Sequence, residues 1–220
     1  MNRRELTEGI KFVFLALIIG VCLALIFETC NLKPAFASEP DTPNTGQSPP
    51  RGAVAYLLEK DHTPLKDPRW TDAERFEAAL YGAATDNGLD PALFIAMAYK
   101  ESSFDTSARG RLGEFGLVQV HGKAKRGCDL GTPEGQAQCG AKWLSRVVQE
   151  CGGSIALDAE KCRATGARGA CSGGLAGYAS GSCSARTTRT AQIIRARLKL
   201  AEKIRPFLLD ETAVLVRRIF

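Results

Sequence analysis

Apolar residues recur at helical spacing in four stretches of this chain, and polar or glycine-rich segments separate them. Ala73, Phe76, Leu80 and Ala83 define the first. Thr71 with Glu74 three positions later predicts a capping box before it, and Asn87-Gly88 a stop after it. Asp90 is a good N-cap for the second, with Pro91 at the first helical position. That helix runs from Ala92 to Glu101, and Phe94, Met97, Ala98 and Glu101 share one stripe. Thr132-Pro133 opens the third. Cys139, Trp143, Val147 and Glu150 form its stripe, Leu144 and Val148 widen it, and Gly152-Gly153 ends it. The fourth occupies 187–204, where Ile193, Ile194, Ala196, Leu198, Leu200 and Ala201 stand among basic residues.

The intervening segments read differently. Residues 110–120 hold too many glycines for a helix and predict a turn or small hairpin. Residues 154–174 have weak periodicity and read as a loop, and 172–181 is glycine-rich around Tyr178. Ala53 to Leu58 is a short apolar stretch that the pattern does not place. The expected class is therefore mainly α, with one small hairpin or turn. No internal repeat is visible.

The N-terminus changes the setting. Arg3, Arg4 and Lys11 precede an uncharged run from Phe12 to Phe27, and Ala35-Phe36-Ala37 follows as a small-x-small pattern. This is the layout of an export segment over 1–37: a cleaved signal, an uncleaved membrane anchor, or a lipoprotein acylated at Cys30. Each option exports the rest, to the periplasm, the cell envelope or the medium. Residues 38–52 contain Pro40, Pro43, Pro49 and Pro50 among Ser, Thr, Asn and Gly, and read as a tether. The expected division is export segment 1–37, disordered linker and lead-in 38–70, folded domain 71–205 and C-terminal tail 206–220. The tail's apolar residues with Arg217 and Arg218 suit packing on the domain or contact with a membrane surface.

Beyond the export segment stand Cys128, Cys139, Cys151, Cys162, Cys171 and Cys183. An even set, crowded into one part of an exported chain, predicts three disulfides. Six cysteines allow fifteen pairings, so connectivity stays open. Neighbours in sequence, Cys128–Cys139 and Cys171–Cys183, are the simplest guess. Zinc is the rival, but there is no Cys-x-x-Cys pair and only His62 and His121, so no metal and no cofactor are expected. The net charge of +5 is mild, and aromatic residues are not interleaved with basic ones, so nucleic acid is not an expected partner.

Glu101 carries the candidate chemistry. It shares its stripe with buried residues at the C-terminal end of its helix. Burial and the negative end of the helix dipole both disfavour its charged form. A carboxylic acid still protonated near neutral pH is what a general acid needs to protonate a leaving sugar oxygen. Asp105 and Glu114 are near in sequence, but nothing in the pattern gives either a role.

Several words of the sequence, in order, resemble the soluble lytic transglycosylase family, related to goose-type lysozyme. Asp90-Pro91-Ala92-Leu93 is similar to the family's entry to the catalytic helix, and Glu101-Ser102-Ser103-Phe104 to its E-S-x-F. Gly116-Leu117-Val118-Gln119 is similar to G-L-M-Q, Gly140-Ala141-Lys142-Trp143-Leu144 to G-x-x-Y-L, and Gly177-Tyr178-Ala179-Ser180-Gly181 to A-Y-N-A-G. The resemblance covers about 71–204 and implies an α+β lysozyme-like fold with the small hairpin at the active-site cleft, here stapled by disulfides. It implies a monomer acting on the glycan strand of peptidoglycan, with the membrane reached only through an N-terminal anchor. A mildly basic protein suits such a polymer and its peptide carboxylates. Glu101 would be acid and then base, cleaving the β-1,4 bond between N-acetylmuramic acid and N-acetylglucosamine and leaving a 1,6-anhydromuramoyl end. Ser102 and Gln119 would line the sugar site, and the Tyr178 hydroxyl would hold Glu101. Two alternatives remain: a goose-type hydrolase on the same fold, and a non-catalytic glycan-binding module. The sequence departs from the family at Val118, where Met is usual, and at Ala179, where Asn is usual.

Overall fold

The computed structural model of the chain describes residues 52–67 and 69–210. The export segment expected at 1–37, most of the tether and the last ten residues of the tail lie outside the described residues. Seven α-helices are described: α1 Ala53–Lys60, α2 Ala73–Asp86, α3 Pro91–Ser102, α4 Pro133–Glu150, α5 Ala159–Thr165, α6 Gly174–Ser180 and α7 Thr188–Ile204. Short 3-10 turns occupy Gly122–Lys125, Gly169–Cys171 and Arg205–Phe207. No strand occurs among the described residues. The glycine-rich segment at 110–120 folds as turns tied by isolated antiparallel bridges, Arg109 to Phe115 and Phe115 to Val120. The fold is the helical, disulfide-stapled, lysozyme-like one that the sequence predicts.

The centre of the fold is α3. Ala92 to Tyr99 are all buried, so this helix has no polar face and is covered on every side. It packs most extensively on α7, and also on α2, while α4 packs on α2 and α6. Its caps are those expected: Asp90 accepts from the Ala92 N–H at 3.0 Å, and Pro91 is the first helical residue. The cap of α2 is one residue later than the Thr71 box predicts. Asp72 accepts from the N–H groups of Glu74 and Arg75 through one carboxylate oxygen, which reaches both donors.

Two short helices are additions to the sequence reading, α5 within the segment read as a loop and α6 within the glycine-rich stretch around Tyr178. Asp158 caps α5 through the Lys161 N–H, and α6 follows a glycine. Both are only seven residues long, so their stability comes from packing and bridges rather than from propensity. The bridges are Cys128–Cys139, Cys151–Cys183 and Cys162–Cys171. The first neighbour pair is as guessed, but Cys171 does not pair with Cys183. The Asp158 N–H donates to the Ala170 carbonyl at 3.0 Å, which brings α5 back onto the 3-10 turn and sets Cys162 against Cys171. Cys183 is left to close on Cys151 at the end of α4.

The lead-in to the domain is not all linker. Ala53, Val54 and Leu57 of α1 are fully buried, and Tyr56 stacks on Phe207 with ring centroids 4.1 Å apart. Glu77 of α2, also fully buried, joins both ends of the described chain. Its carboxyl oxygens accept from the Val54 N–H at 2.8 Å and the Leu209 N–H at 2.9 Å. Burial pushes this carboxyl up to about 7, against the opposing pull of those N–H donors.

That shift makes stability depend on pH. The folded state favours protonated Glu77, so its contribution is complete below the ordinary value of 4.5 and is lost as pH rises through about 7. The span is worth about 3 kcal/mol. Glu77→Gln keeps an acceptor without the charge. Urea unfolding at several pH values should therefore show wild type losing stability relative to this variant between pH 4.5 and 8; parallel curves would refute the linkage.

Candidate active site

Glu101 stands in the last turn of α3. The chain reverses directly after it. Ser103 and Phe104 both take left-handed backbone angles, with φ of 54° and 62°. Such angles cost of order 1–3 kcal/mol each and persist only where the surroundings impose them. Here the anchor is Phe104, fully buried, with its ring edge-on to Phe76 at 5.5 Å and tilted on Tyr99 at 5.3 Å. Burying that ring fixes where the α3 terminus, and so Glu101, points.

The turn Gly116–Gln119 faces the same helix end and is held from three elements. The Ser102 hydroxyl donates to the Leu117 carbonyl at 2.8 Å and accepts from the Asp105 N–H at 3.1 Å. From α4, the buried Gln136 accepts from the Leu117 N–H at 2.8 Å, and its amide nitrogen donates to the carbonyls of Thr106 and Leu130. From α6, the Tyr178 hydroxyl donates to the Val118 carbonyl at 2.5 Å. Gly116 has φ of 75°, and a Cβ there would sit 2.3 Å from the Gln136 carbonyl oxygen, so only glycine fits. Val118 packs so closely on α4 that a Cβ at Gly140 would lie 2.1 Å from its Cγ2. Gln119 is itself left-handed, with φ of 51°, and its side-chain amide donates to the Gly116 carbonyl at 2.8 Å.

The group that touches Glu101 is Arg197 of α7. Its Nη2 donates to Glu101 Oε1 in an ion pair whose side chains are 5% and 19% exposed. Its Nε and Nη1 are buried and take no hydrogen bond among the described residues. The Tyr178 ring lies 6.0 Å from the guanidinium carbon and offers it an aromatic face. Burial pushes the Glu101 carboxyl above the ordinary range; the Arg197 charge opposes this, and the Glu114 charge adds to it. Burial, aided by the charge of Glu101, also raises the Tyr178 phenol, so that hydroxyl stays a donor.

The residues expected to form the site are thus brought together, with one exchange of roles. Ser102 and Tyr178 have their hydroxyls engaged by the turn. The Tyr178 hydroxyl is not on Glu101, because the Val118 carbonyl takes it; the orienting contact comes from Arg197 instead. Asp105 is turned away, accepting from the Ser107 N–H and hydroxyl and paired with Lys66 at 3.5 Å. Glu114 accepts from the Leu112 N–H at 2.8 Å, a bond that favours its ionised form. Arg197 and Gln136 are the residues that sequence reading missed. Both carried a signal. Arg197 falls in register with Thr190, Ile194, Ala201 and Ile204, a charge on the buried stripe of α7. Gln136 falls in the buried stripe of α4 with Cys139, Gly140 and Leu144. Among the described residues no group of three or more His, Cys, Asp or Glu could hold a metal ion.

A largely buried carboxyl at a helix end thus faces a rigid glycine turn within a helical, disulfide-stapled, lysozyme-like domain. The chain belongs to the transglycosylase SLT domain family, whose model matches residues 79–192. That family performs lytic transglycosylase-type cleavage of peptidoglycan. No curated protein matches the sequence significantly. No helix among the described residues is long and apolar enough to cross a membrane.

The contact of Val118 with Gly140 is testable by a rescue. Gly140→Ala should destabilise by about 1–3 kcal/mol, although alanine favours helix, because the new methyl meets a packed side chain. Adding Val118→Ala opens the space and should recover part of the loss. Strictly additive costs in urea unfolding of the two single variants and the double would show that the contact does not fix the turn.

Proposed function

We propose that the chain is a peptidoglycan lytic transglycosylase in which Glu101 is the acid and then the base. The observation that carries this reading is the setting of Glu101: one buried carboxyl, raised by desolvation, with one oxygen held by Arg197. Its Oε2 has no partner among the described residues, so it is the oxygen offered to substrate. Protonated Glu101 gives its proton to the glycosidic oxygen linking N-acetylmuramic acid to the next N-acetylglucosamine. The resulting carboxylate is stabilised by Arg197. It then takes the proton of the muramic C6 hydroxyl as that oxygen attacks C1, which closes a 1,6-anhydro ring and consumes no water. Ser102, Gln119 and Tyr178 fix the shape of the sugar-facing turn, with the Gln119 amide oxygen as the acceptor turned toward sugar. The same reading sets the domain outside the cytoplasm, behind an export segment at 1–37 and a tether.

One observation favours a second outcome, hydrolysis as in goose-type lysozyme. Glu114 is near enough for its charge to raise Glu101, and its bond to the Leu112 N–H keeps it ionised. A second carboxylate able to activate water would give reducing ends instead of anhydro ends. Mass spectrometry of the muropeptides released by the enzyme separates the two.

Removal of the acid tests the reading directly. Glu101→Gln should lose wall-lysing activity by about 100-fold or more. It also leaves the Arg197 charge without a counter-charge, so the double variant Glu101→Gln/Arg197→Met should be more stable than Glu101→Gln yet equally inactive. Lysis near the wild-type rate by either variant would sink the assignment.

Arg197 alone has a distinct signature. Glu101 must be protonated to act, so activity falls as pH rises past its pKa. Losing Arg197 leaves desolvation less opposed and raises that pKa. Arg197→Met should therefore shift the basic limb of the pH profile upward while lowering kcat, and Arg197→Lys should return the limb toward wild type. An unmoved limb would reduce Arg197 to a packing residue.

A further inference from the structure

A hollow of about 140 Å³ opens between the Gly122–Lys125 turn and the middle of α4. Lys123, Arg126, Lys142 and Arg146 line it, with Trp143 and the Cys128–Cys139 bridge in its wall. Its lining includes no Asp or Glu. Glu150 engages Arg146 at 2.7 Å, but Lys123, Arg126 and Lys142 have no ion pair among the described residues. Cys139, Lys142 and Arg146 follow one another at helical spacing, so one face of α4 presents the cations, and the bridge holds the Lys123–Arg126 side against it. Like charges gathered in this way repel and weaken the fold unless an anion joins them. The arrangement is therefore that of an anion site.

Its size and place narrow the ligand. The hollow is well below the volume of a site for a drug-sized molecule, so it suits a single charged group rather than a sugar ring. The Gly122–Lys125 turn begins two residues after Val120, and Lys125 Nζ donates to the Gly113 carbonyl, so the basic loop is fastened to the segment that carries Gln119. We propose that this pocket binds a carboxylate of the peptide stems borne by the glycan strand that lies at Glu101. The proposal rests on the transglycosylase reading above and names the part of the substrate that reading leaves unassigned. Arg126 offers a planar fork for the carboxylate, Lys123 and Lys142 add charge, and Trp143 gives an apolar wall for the aliphatic carbons beside it. A lipid surface would be met by cations on a raised face, whereas these line a hollow.

The test uses the full chain and the variant Arg126→Gln/Lys142→Gln, whose side chains are exposed and whose loss relieves repulsion, so that it folds with a melting temperature no lower than wild type. Calorimetry with a soluble stem tripeptide that bears free carboxylates should show binding to wild type that weakens with salt. Amidation of the peptide's carboxylates, or the double variant, should weaken it about tenfold or more. In parallel, the rate on stem-bearing glycan relative to glycan stripped of stems by an amidase should fall about tenfold in the variant. No binding of the free peptide, equal binding by the variant, or an unchanged rate ratio would overturn the proposal. Binding to phosphatidylglycerol vesicles that the variant loses, with no peptide binding, would overturn it too and assign the patch to lipid. Peptide binding with cleavage of neither glycan would leave the pocket standing and remove the transglycosylase reading alone.

Discussion

The ion pair between Glu101 and Arg197 is the constraint around which the fold is arranged. A carboxylate at the end of a helix with no polar face is costly to leave unpaired, because desolvation of a lone charge costs several kcal/mol or forces it to take up a proton. The compensating cation comes from α7, the helix against which α3 packs most extensively. Two helices far apart in sequence are thereby fixed in register at one point. Bringing Arg197 there has a cost, since two of its donors find no hydrogen bond among the described residues. A packing optimum would place an apolar residue on that stripe. On the proposed function, the retained charge serves the chemistry of Glu101 rather than the packing of the core.

The turn at 116–119 answers the complementary need, which is rigidity opposite Glu101. Its backbone carbonyls and N–H groups are held by Ser102, Gln136 and Tyr178, each from a different helix. The polar residues that the family's motifs bring to mind as sugar contacts act on the turn first. Their effect on a substrate would pass through the shape they impose. This explains why Gly116 and Gly140 matter as much as the polar groups: both permit approaches that any side chain would block.

Much of this was legible in the sequence, and the exceptions have physical causes. The four long helices carried their own periodicity, and Asp90 and Thr132 stand at the helix starts where the pattern puts them. The short helices α5 and α6 were hidden because seven residues give too little periodicity and their stability is tertiary. The pairing of Cys183 depended on where α5 folds back, which no spacing records. The position of Glu101 was readable, but its partner was not, since a contact across 96 positions leaves no local trace. The one clue was an arginine on an apolar stripe, which a reading confined to motifs passes over.

On the proposed mechanism Glu101 is acid and then base, and such a group needs both of its protonation states to be accessible in one environment. Burial alone would stabilise neutral Glu101 and make it a poor base; pairing alone would stabilise the carboxylate and make it a poor acid. Here the two act together, with desolvation the larger influence and the Arg197 charge opposing it. Because Arg197 binds one oxygen only, the balance is set without blocking the other. The Tyr178 ring beside the guanidinium, and its hydroxyl on Val118, tie that electrostatic balance to the geometry of the turn. On the proposed mechanism, a change at Tyr178 would therefore move both the position of the sugar and the proton affinity of the acid, although Tyr178 itself does not touch Glu101 by hydrogen bond.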